Sequence, residues 1–334
     1  MMKTKLEYVW LDGYTPEPQL RSKIRVFEGP IPTTLSNVPV WNFDGSSTQQ
    51  AEGHFSDCVL HPVRLYAPYT SADPCPTVYV LCTVHHSDGT PHATNTRAAV
   101  PENSDLWFGF EQEYFIRSGY QQPILGFEQV APEPQGKYYC GVGGQMRGRR
   151  ISDTHLNTCL NYGLNIEGTN AEVALGQWEY QIFAADAQQA ADDLWMSRYL
   201  LSKIAEAHDC HIEWHPKPLL GWNGSGLHTN FSSSRMRDIG GHTYFLEIFD
   251  AFRFRKHEHI QNYGSDNHLR LTGQYETADI NTFSWGVSDR GASIRIPAAT
   301  AVAWKGYLED RRPASHADPY RVVRTIAETL QLIK

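Results

Sequence analysis

The chain has 334 residues, enough for one large domain or two ordinary ones around a sizeable core. At 41% hydrophobic and 20% charged residues it is not a disordered chain, and a formal net charge of −8 without any strongly basic segment argues against nucleic acid as the main partner. No run reaches the roughly 18 apolar residues of a membrane span, the N-terminal MMKTKLEYVWLDG lacks the apolar region of a signal peptide, and the six cysteines form no C-x-x-C pair, so a cytoplasmic protein with reduced thiols and no membrane association is expected.

Residues 5–12 and 23–27 are predicted as short strands. The segment 28–57 is rich in Gly, Pro, Ser and Asn and reads as a long ordered loop. CVLHPVRLYA (58–67) and PTVYVLCTVHH (76–86) return to a strand pattern, so residues 1–90 are expected to form a small strand-rich domain, with the polar stretch 87–105 at its boundary. The rest, 91–334, mixes strand-like runs at 107–117, 163–168, 177–184 and 292–297 with helical patterns near 150–161, 186–208, 242–260 and 319–333. In the last of these Asp318 suits an N-cap, Pro319 the first helical position, and Val322, Val323, Ile326, Leu330 and Ile333 a buried stripe. Strands do not alternate strictly with helices, so an α+β fold with a mostly antiparallel sheet is favoured over a doubly wound one.

FGFEQEYFI (108–116) sets Glu111 and Glu113 two apart in an apolar, aromatic run. Strand periodicity turns both to one face, about 7 Å apart, where they should repel and resist burial. GTNAEVALGQWEYQIF carries Glu172 and Glu179, the latter on one face with Gln177 and Gln181 while Trp178, Tyr180 and Ile182 take the other. GWNGSGLHTNF brings His228 out of a Gly-rich approach with Asn230 on the same side, and GYLEDRRPAS places Glu309 between Tyr307 and two arginines. A single such acid is most simply a solvated strand residue. Several, each embedded among aromatics, point to a divalent cation, and oxygen ligands with one imidazole suit Mg²⁺ or Mn²⁺ better than Zn²⁺. Arg270, Arg290, Arg295, Arg311 and Arg312 form the complementary set, suited to carboxylates and phosphates. With no Walker A motif and no G-x-G-x-x-G opening a helix, phosphate would be held by metal and arginine rather than by a glycine loop.

Seven segments in order, WNFDGSSTQQAEG, FGFEQEY, PQGKYYCGVG, GTNAEVALGQWEYQ, WNGSGLHTNF, RLTGQYETADINTFSWGVSDRGASIRIP and GYLEDRRPASHADPY, together resemble glutamine synthetase of the type II, eukaryotic-type branch. The resemblance implies an N-terminal β-grasp domain, then a catalytic domain whose antiparallel strands form an open barrel backed by helices. It implies ligation of ammonia to L-glutamate, with ATP as substrate, through γ-glutamyl phosphate. Carried over by motif, Glu113, Glu172 and Glu179 would hold one Mg²⁺ or Mn²⁺ near glutamate and the ammonium site. Glu111, His228 and Glu309 would hold another among the ATP phosphates. Arg270 and Arg311, with Asn223 and Gly224 nearby, would bind glutamate. Arg290 would steady the transferring phosphoryl group, and Arg295, with Tyr307, the nucleotide. Glu276 would lie on a flap that excludes water, and Asp44, supported by Ser47 and Tyr139, would bind ammonium and take its proton. The same resemblance implies a homo-oligomer of two stacked pentameric rings with active sites between subunits, the Asp44 loop reaching its neighbour. The sequence departs from the family at Lys137, where proline is usual, at Phe55, and in GGQMRGRRISD. The nearest rival is a γ-glutamyl ligase using another amine, which would need apolar room where Asp44, Ser47 and Glu179 offer anionic and polar groups. A phosphagen-type kinase would need neither the NFDGSS loop nor the flap, and a non-catalytic protein of this fold would have no use for the full set of ligands.

Overall fold

The protein is described by a computed structural model, covering residues 3–102, 105–129, 132 and 137–333. Residues 134–136 of the PQGKYYCGVG segment lie outside that description.

The first described element is β1 (Lys3–Leu11), buried on both faces because it is an interior strand of a sheet with both faces covered. It pairs antiparallel with β2 (Leu20–Glu28) and parallel with β5 (Thr77–His86). Beyond β5 come β4 (Asp57–Tyr66) and β3 (Trp41–Asp44), giving the order β2-β1-β5-β4-β3. Leu6, Tyr8 and Trp10 face a small core with Phe43, Leu60, Val78 and Val80. Val9, Tyr66, Tyr79 and Leu81 face the other way and join the large core. β3 lies inside the stretch expected to be loop. Its four residues alternate Trp41 and Phe43 toward the small core, a signal too short to stand out among prolines and glycines. It ends at Asp44, whose side chain caps the 3₁₀ turn Gly45–Thr48.

The second sheet holds β6 (Trp107–Arg117), β7 (Ile166–Ala171), β8 (Gln177–Ala184), β9 (His211–Glu213), β10 (Leu227–Ser232), β11 (Trp285–Val287), β12 (Ile294–Ile296) and β13 (Leu308–Asp310). Its order is β11-β12-β13-β10-β6-β8-β7, with β9 extending from β6, and it curls into an open half-barrel. Only β11 and β12 are parallel. The run expected at 163–168 starts as a strand only at Ile166, because Gly163, at φ 73°, turns the chain out of the preceding helix.

Among the described residues, six helices accompany this sheet: α1 (Arg149–Asn161), α2 (Ala187–Glu206), α3 (His242–Phe254), α4 (Lys256–Asn262), α5 (Ala298–Ala303) and α6 (Pro319–Leu330). The pattern expected as one helix over 242–260 is two. The break is at Arg255, whose backbone leaves helical geometry while its guanidinium ties to Glu258 and Glu328. α6 begins as expected, with the Asp318 side chain accepting from Tyr320 N at 3.0 Å and Pro319 in the first turn. It stops at Leu330, so Ile333 packs against the core from beyond the helix. α2 is buried along most of its length, wedged between the two sheets. Its Asp192 accepts from Arg64 (3.0 Å), Arg97 (2.8 Å) and Tyr320 (2.7 Å), and Asp193 accepts from Tyr66 (2.8 Å). Glu7 of β1 is met by Tyr199 and Lys203. Unpaired, these buried acids would be costly; paired, they fix the first sheet against α2.

Candidate active site

Strand alternation divides β6 cleanly. Phe108, Phe110, Gln112 and Tyr114 point into the core, and Glu111 and Glu113 point to the concave face. Gln112 is fully buried but satisfied: Arg198 Nε donates to its Oε1 at 2.8 Å, and its Nε2 donates to Ser315 O at 2.9 Å.

Cross-strand register then supplies partners for the two acids. His228 on β10 lies opposite Glu111, and Glu179 on β8 opposite Glu113. Glu309 on β13 is one strand further, opposite Asn230. The result is two clusters on one concave wall, Glu111–His228–Glu309 and Glu113–Glu172–Glu179, each with ligand atoms within 4.8 Å of one another. His228 Nδ1 is 3.5 Å from both Glu111 Oε2 and Glu309 Oε1.

Neighbouring amides orient the carboxylates. Glu111 accepts from Asn230 Nδ2 at 2.8 Å, Glu113 from Gly226 N at 2.6 Å, Glu172 from Asn170 Nδ2 at 3.1 Å and Val173 N at 3.0 Å, and Glu179 from Gln181. These bonds do not offset the crowding. Burial, then repulsion from Glu172, pushes Glu113 up to about 8. Burial also raises Glu172, and burial with Glu111, Glu113 and Glu172 around it holds Glu179 well above the usual carboxylate range. Burial, then the Arg311 charge, keeps His228 neutral, as a metal ligand must be. Convergent oxygen donors that repel one another, with a single neutral imidazole, fit a hard divalent cation, which would remove the repulsion.

The arginines line the same cleft, interleaved with the acids, in a cavity of about 130 Å³. Glu309, 1% exposed, is clamped by Arg295 and Arg311, each at 2.7 Å. Arg270 is buried and bonds Arg311 O at 2.8 Å, and its Nη2 is 3.2 Å from His228 Nε2. Burial pulls Arg270 down to about 10. Arg290, half exposed, faces Glu276 at 3.5 Å. Asn223, Gly224 and Tyr139 also line the cleft. A side chain at Gly224 would meet Pro216 O at 2.3 Å, so the close approach of this loop to the Pro216 backbone requires glycine.

Arg312 parts company with Arg311. Alternation along β13 sends Asp310 inward, and Arg312 follows it into the core, bonded to Asp310 at 2.8 and 2.6 Å. Tyr307 is exposed and does not line the cleft, although Glu111 and Glu309 are near enough to add to the burial that raises its hydroxyl. Asp44 and Ser47 are likewise not among the lining residues. They are exposed on the first sheet, where Ser46 and Ser47 hydroxyls bond the Asp44 carboxylate and hold it below the usual range. Tyr275, Thr277 and Gln177 line the cleft without having been singled out as site residues. Gln177 was legible as a face-mate of Glu179, whereas Tyr275 gave no signal beyond its place before Glu276.

A β-grasp sheet joined to a curled antiparallel sheet, with two clusters suited to a hard divalent cation and several arginines in one cleft, defines an α+β enzyme class that handles anionic substrates with divalent metal. Residues 2–87 match the family description "Glutamine synthetase, beta-Grasp domain", and residues 95–239 match "Glutamine synthetase, catalytic domain". The chain is 51% identical to "Glutamine synthetase" of Bradyrhizobium diazoefficiens, across 100% of this chain and 98% of that one. It is 50% identical to "Glutamine synthetase" of Rhizobium meliloti, across 97% and 99%, and 45% identical to that of the fungus Agaricus bisporus, across 99% and 94%. The chain belongs to the glutamine synthetase family. Among the described residues no helix is long and apolar enough to cross a membrane.

Proposed function

We propose that the protein joins ammonia to the γ-carboxylate of L-glutamate, using ATP, to give L-glutamine, ADP and phosphate. The observation that carries this reading is the pair of clusters, Glu111–His228–Glu309 and Glu113–Glu172–Glu179, that share one cleft with arginines. Two divalent cations, Mg²⁺ or Mn²⁺, would be held by these clusters and would neutralise the phosphate charge.

The residues divide the work as follows. Arg270 and Arg311, fixed by main-chain carbonyls, present guanidinium forks to the glutamate carboxylates, with Asn223 and Gly224 shaping the same wall. An oxygen of the γ-carboxylate attacks the terminal phosphorus of ATP, ADP leaves, and γ-glutamyl phosphate is formed. Arg290 and Arg295 offset charge on the transferring group and the nucleotide, and Tyr307 borders the nucleotide side. Ammonia then attacks the acyl carbon and phosphate departs. Glu276 closes over the intermediate against water. Tyr139 and Glu179 border the ammonium pocket. Asp44, with Ser47, takes the proton from ammonium and belongs to a neighbouring subunit's cleft, which suits their exposed position on the first sheet. We read the assembly as a homo-oligomer of two stacked pentameric rings in the cytoplasm.

The test is ATP-dependent phosphate release with glutamate and a panel of amines. Ammonia is expected to be used best, with one glutamine formed per phosphate. Preference for an alkylamine would replace this reading with a γ-glutamyl ligase of the same fold, and no amine-dependent turnover would refute both.

A further inference from the structure

The loop that carries Glu276 runs from Thr272 to Asp279 and is closed by a bridge between those two residues. Its tip is held in an unusual shape: Tyr275 and Glu276 are consecutive non-glycine residues at φ 53° and 61°. Such geometry persists only where surroundings enforce it. Thr277 secures the base of the loop, donating to Arg270 O at 3.0 Å. The contacts of Glu276 itself are long. Asn223 Nδ2 reaches it at 3.4 Å and Arg290 at 3.5 Å, and Arg311 Nη2 reaches its carbonyl at 3.3 Å. All three partners belong to the substrate-facing wall, so arriving substrates compete for them.

Lys217 contacts this tip from outside the cleft lining. Its Nζ lies 4.1 Å from the centre of the Tyr275 ring and donates to Trp222 O. Burial, then the charge of Arg270, works against its ammonium form. A half-buried ammonium so placed is held by the ring and the carbonyl together. Trp222 is itself braced edge-on by Phe127 at 5.4 Å, so the carbonyl belongs to a packed segment adjoining Asn223 and Gly224.

We propose that Lys217 is a positioning residue for the ligation: its ammonium latches the 272–279 loop, through the Tyr275 ring, to the Trp222 carbonyl, and so keeps Glu276 over the reacting carbon. This rests on the reaction proposed above. When the latch is lost the loop opens and water reaches γ-glutamyl phosphate. The water oxygen attacks the acyl carbon, the bond from that carbon to the phosphate oxygen breaks, a proton is released, and glutamate and phosphate return without glutamine.

The readout is the ratio of phosphate released to glutamine formed at limiting ammonia, with the metal-loaded full-length protein. Lys217→Met is expected to raise the excess phosphate by about 2-fold to about 30-fold, the range by which a cation–π contact shifts an open–closed equilibrium. The KM for ATP should stay in place. Tyr275→Leu should give the same leak, Tyr275→Phe should fall closer to the unaltered protein because it keeps the ring, and the double variant should leak no more than the worse single one. An unchanged ratio in Lys217→Met, or single defects that multiply in the double variant, overturns the latch. Should Lys217→Met fail to fold by circular dichroism, the Tyr275 pair decides, and equal leaks in Leu and Phe variants overturn it. An unaltered protein that forms no glutamine would overturn the reaction as well as the latch, and a coupled protein with a silent Lys217 overturns the latch alone.

Discussion

Replacing Glu113 by Gln separates the electrostatics of the cluster from its packing. Gln keeps an oxygen for the Gly226 N–H, which Glu113 accepts at 2.6 Å, and removes one charge from a cluster that also holds Glu172 and Glu179. In metal-free protein the Glu113 carboxyl is raised from 4.5 to about 8, by burial first and Glu172 second. The folded state therefore disfavours the charged form. The resulting destabilisation is absent below 4.5, grows as pH rises, and is complete above about 8. At about 1.4 kcal/mol per unit the ceiling is about 5 kcal/mol. With an unfolding entropy of about 2.1 cal/mol/K per residue, that is a Tm difference of up to about 7 °C for a chain of this length. The assay is thermal unfolding in chelator from pH 5.5 to 8.5, repeated with Mg²⁺ or Mn²⁺. Without metal, the unaltered protein should lose Tm over this range more steeply than Glu113→Gln, so the variant becomes the more stable at pH 8.5. With metal the order should reverse, because the cation uses the charge that the variant lacks, and activity of the variant should need more metal. An identical pH slope and identical metal response in the two proteins would refute the assignment of Glu113 to a cation site.

Arg311→Lys keeps the charge and loses the fork, so it should raise the KM for glutamate far more than that for ATP; equal effects would move Arg311 to the nucleotide. One position on, Arg312→Met breaks the buried pair with Asp310 and should cost about 3–5 kcal/mol of stability, read as a fall in Tm, with no selective effect on either KM. Mixing Asp44→Ala chains with Glu113→Ala chains should regain ammonia-dependent turnover in doubly tagged oligomers, because about a quarter of randomly paired interfaces would join an intact loop to an intact metal site. Mixed oligomers of confirmed size that are no more active than either parent would place Asp44 in its own subunit's site.

The parts of the site readable in the sequence were those governed by strand alternation. Glu111 and Glu113 could be set on one face of β6, and Glu179 on one face of β8, because each lies in a strand of eight or more residues. That Glu309 and His228 converge with them was not readable, since β13 is three residues long and the approach to β10 is glycine-rich, leaving no period to follow. Convergence depends on register between β6, β10 and β13, which are far apart in the chain, and the family resemblance supplied what local pattern lacked. The same limit hid the break at Arg255, which is decided by Glu328 from α6, and β3, whose two inward aromatics make sense only with the small core around them. Splitting Arg311 from Arg312 needed only alternation, but the short strand had first to be recognised.

The buried Gln112 gives β6 the character of a ruler. Its side chain is knotted to Arg198 and to Ser315 O on the core side, so the strand can neither slide nor flip by one residue without breaking that knot. The spacing of Glu111 and Glu113, one in each acidic cluster, is thus set by the backbone repeat, at about 3.4 Å per residue. Changes to the rest of the cleft lining leave this spacing constant. A change at Gln112, on the core face of the strand, would recalibrate both clusters at once.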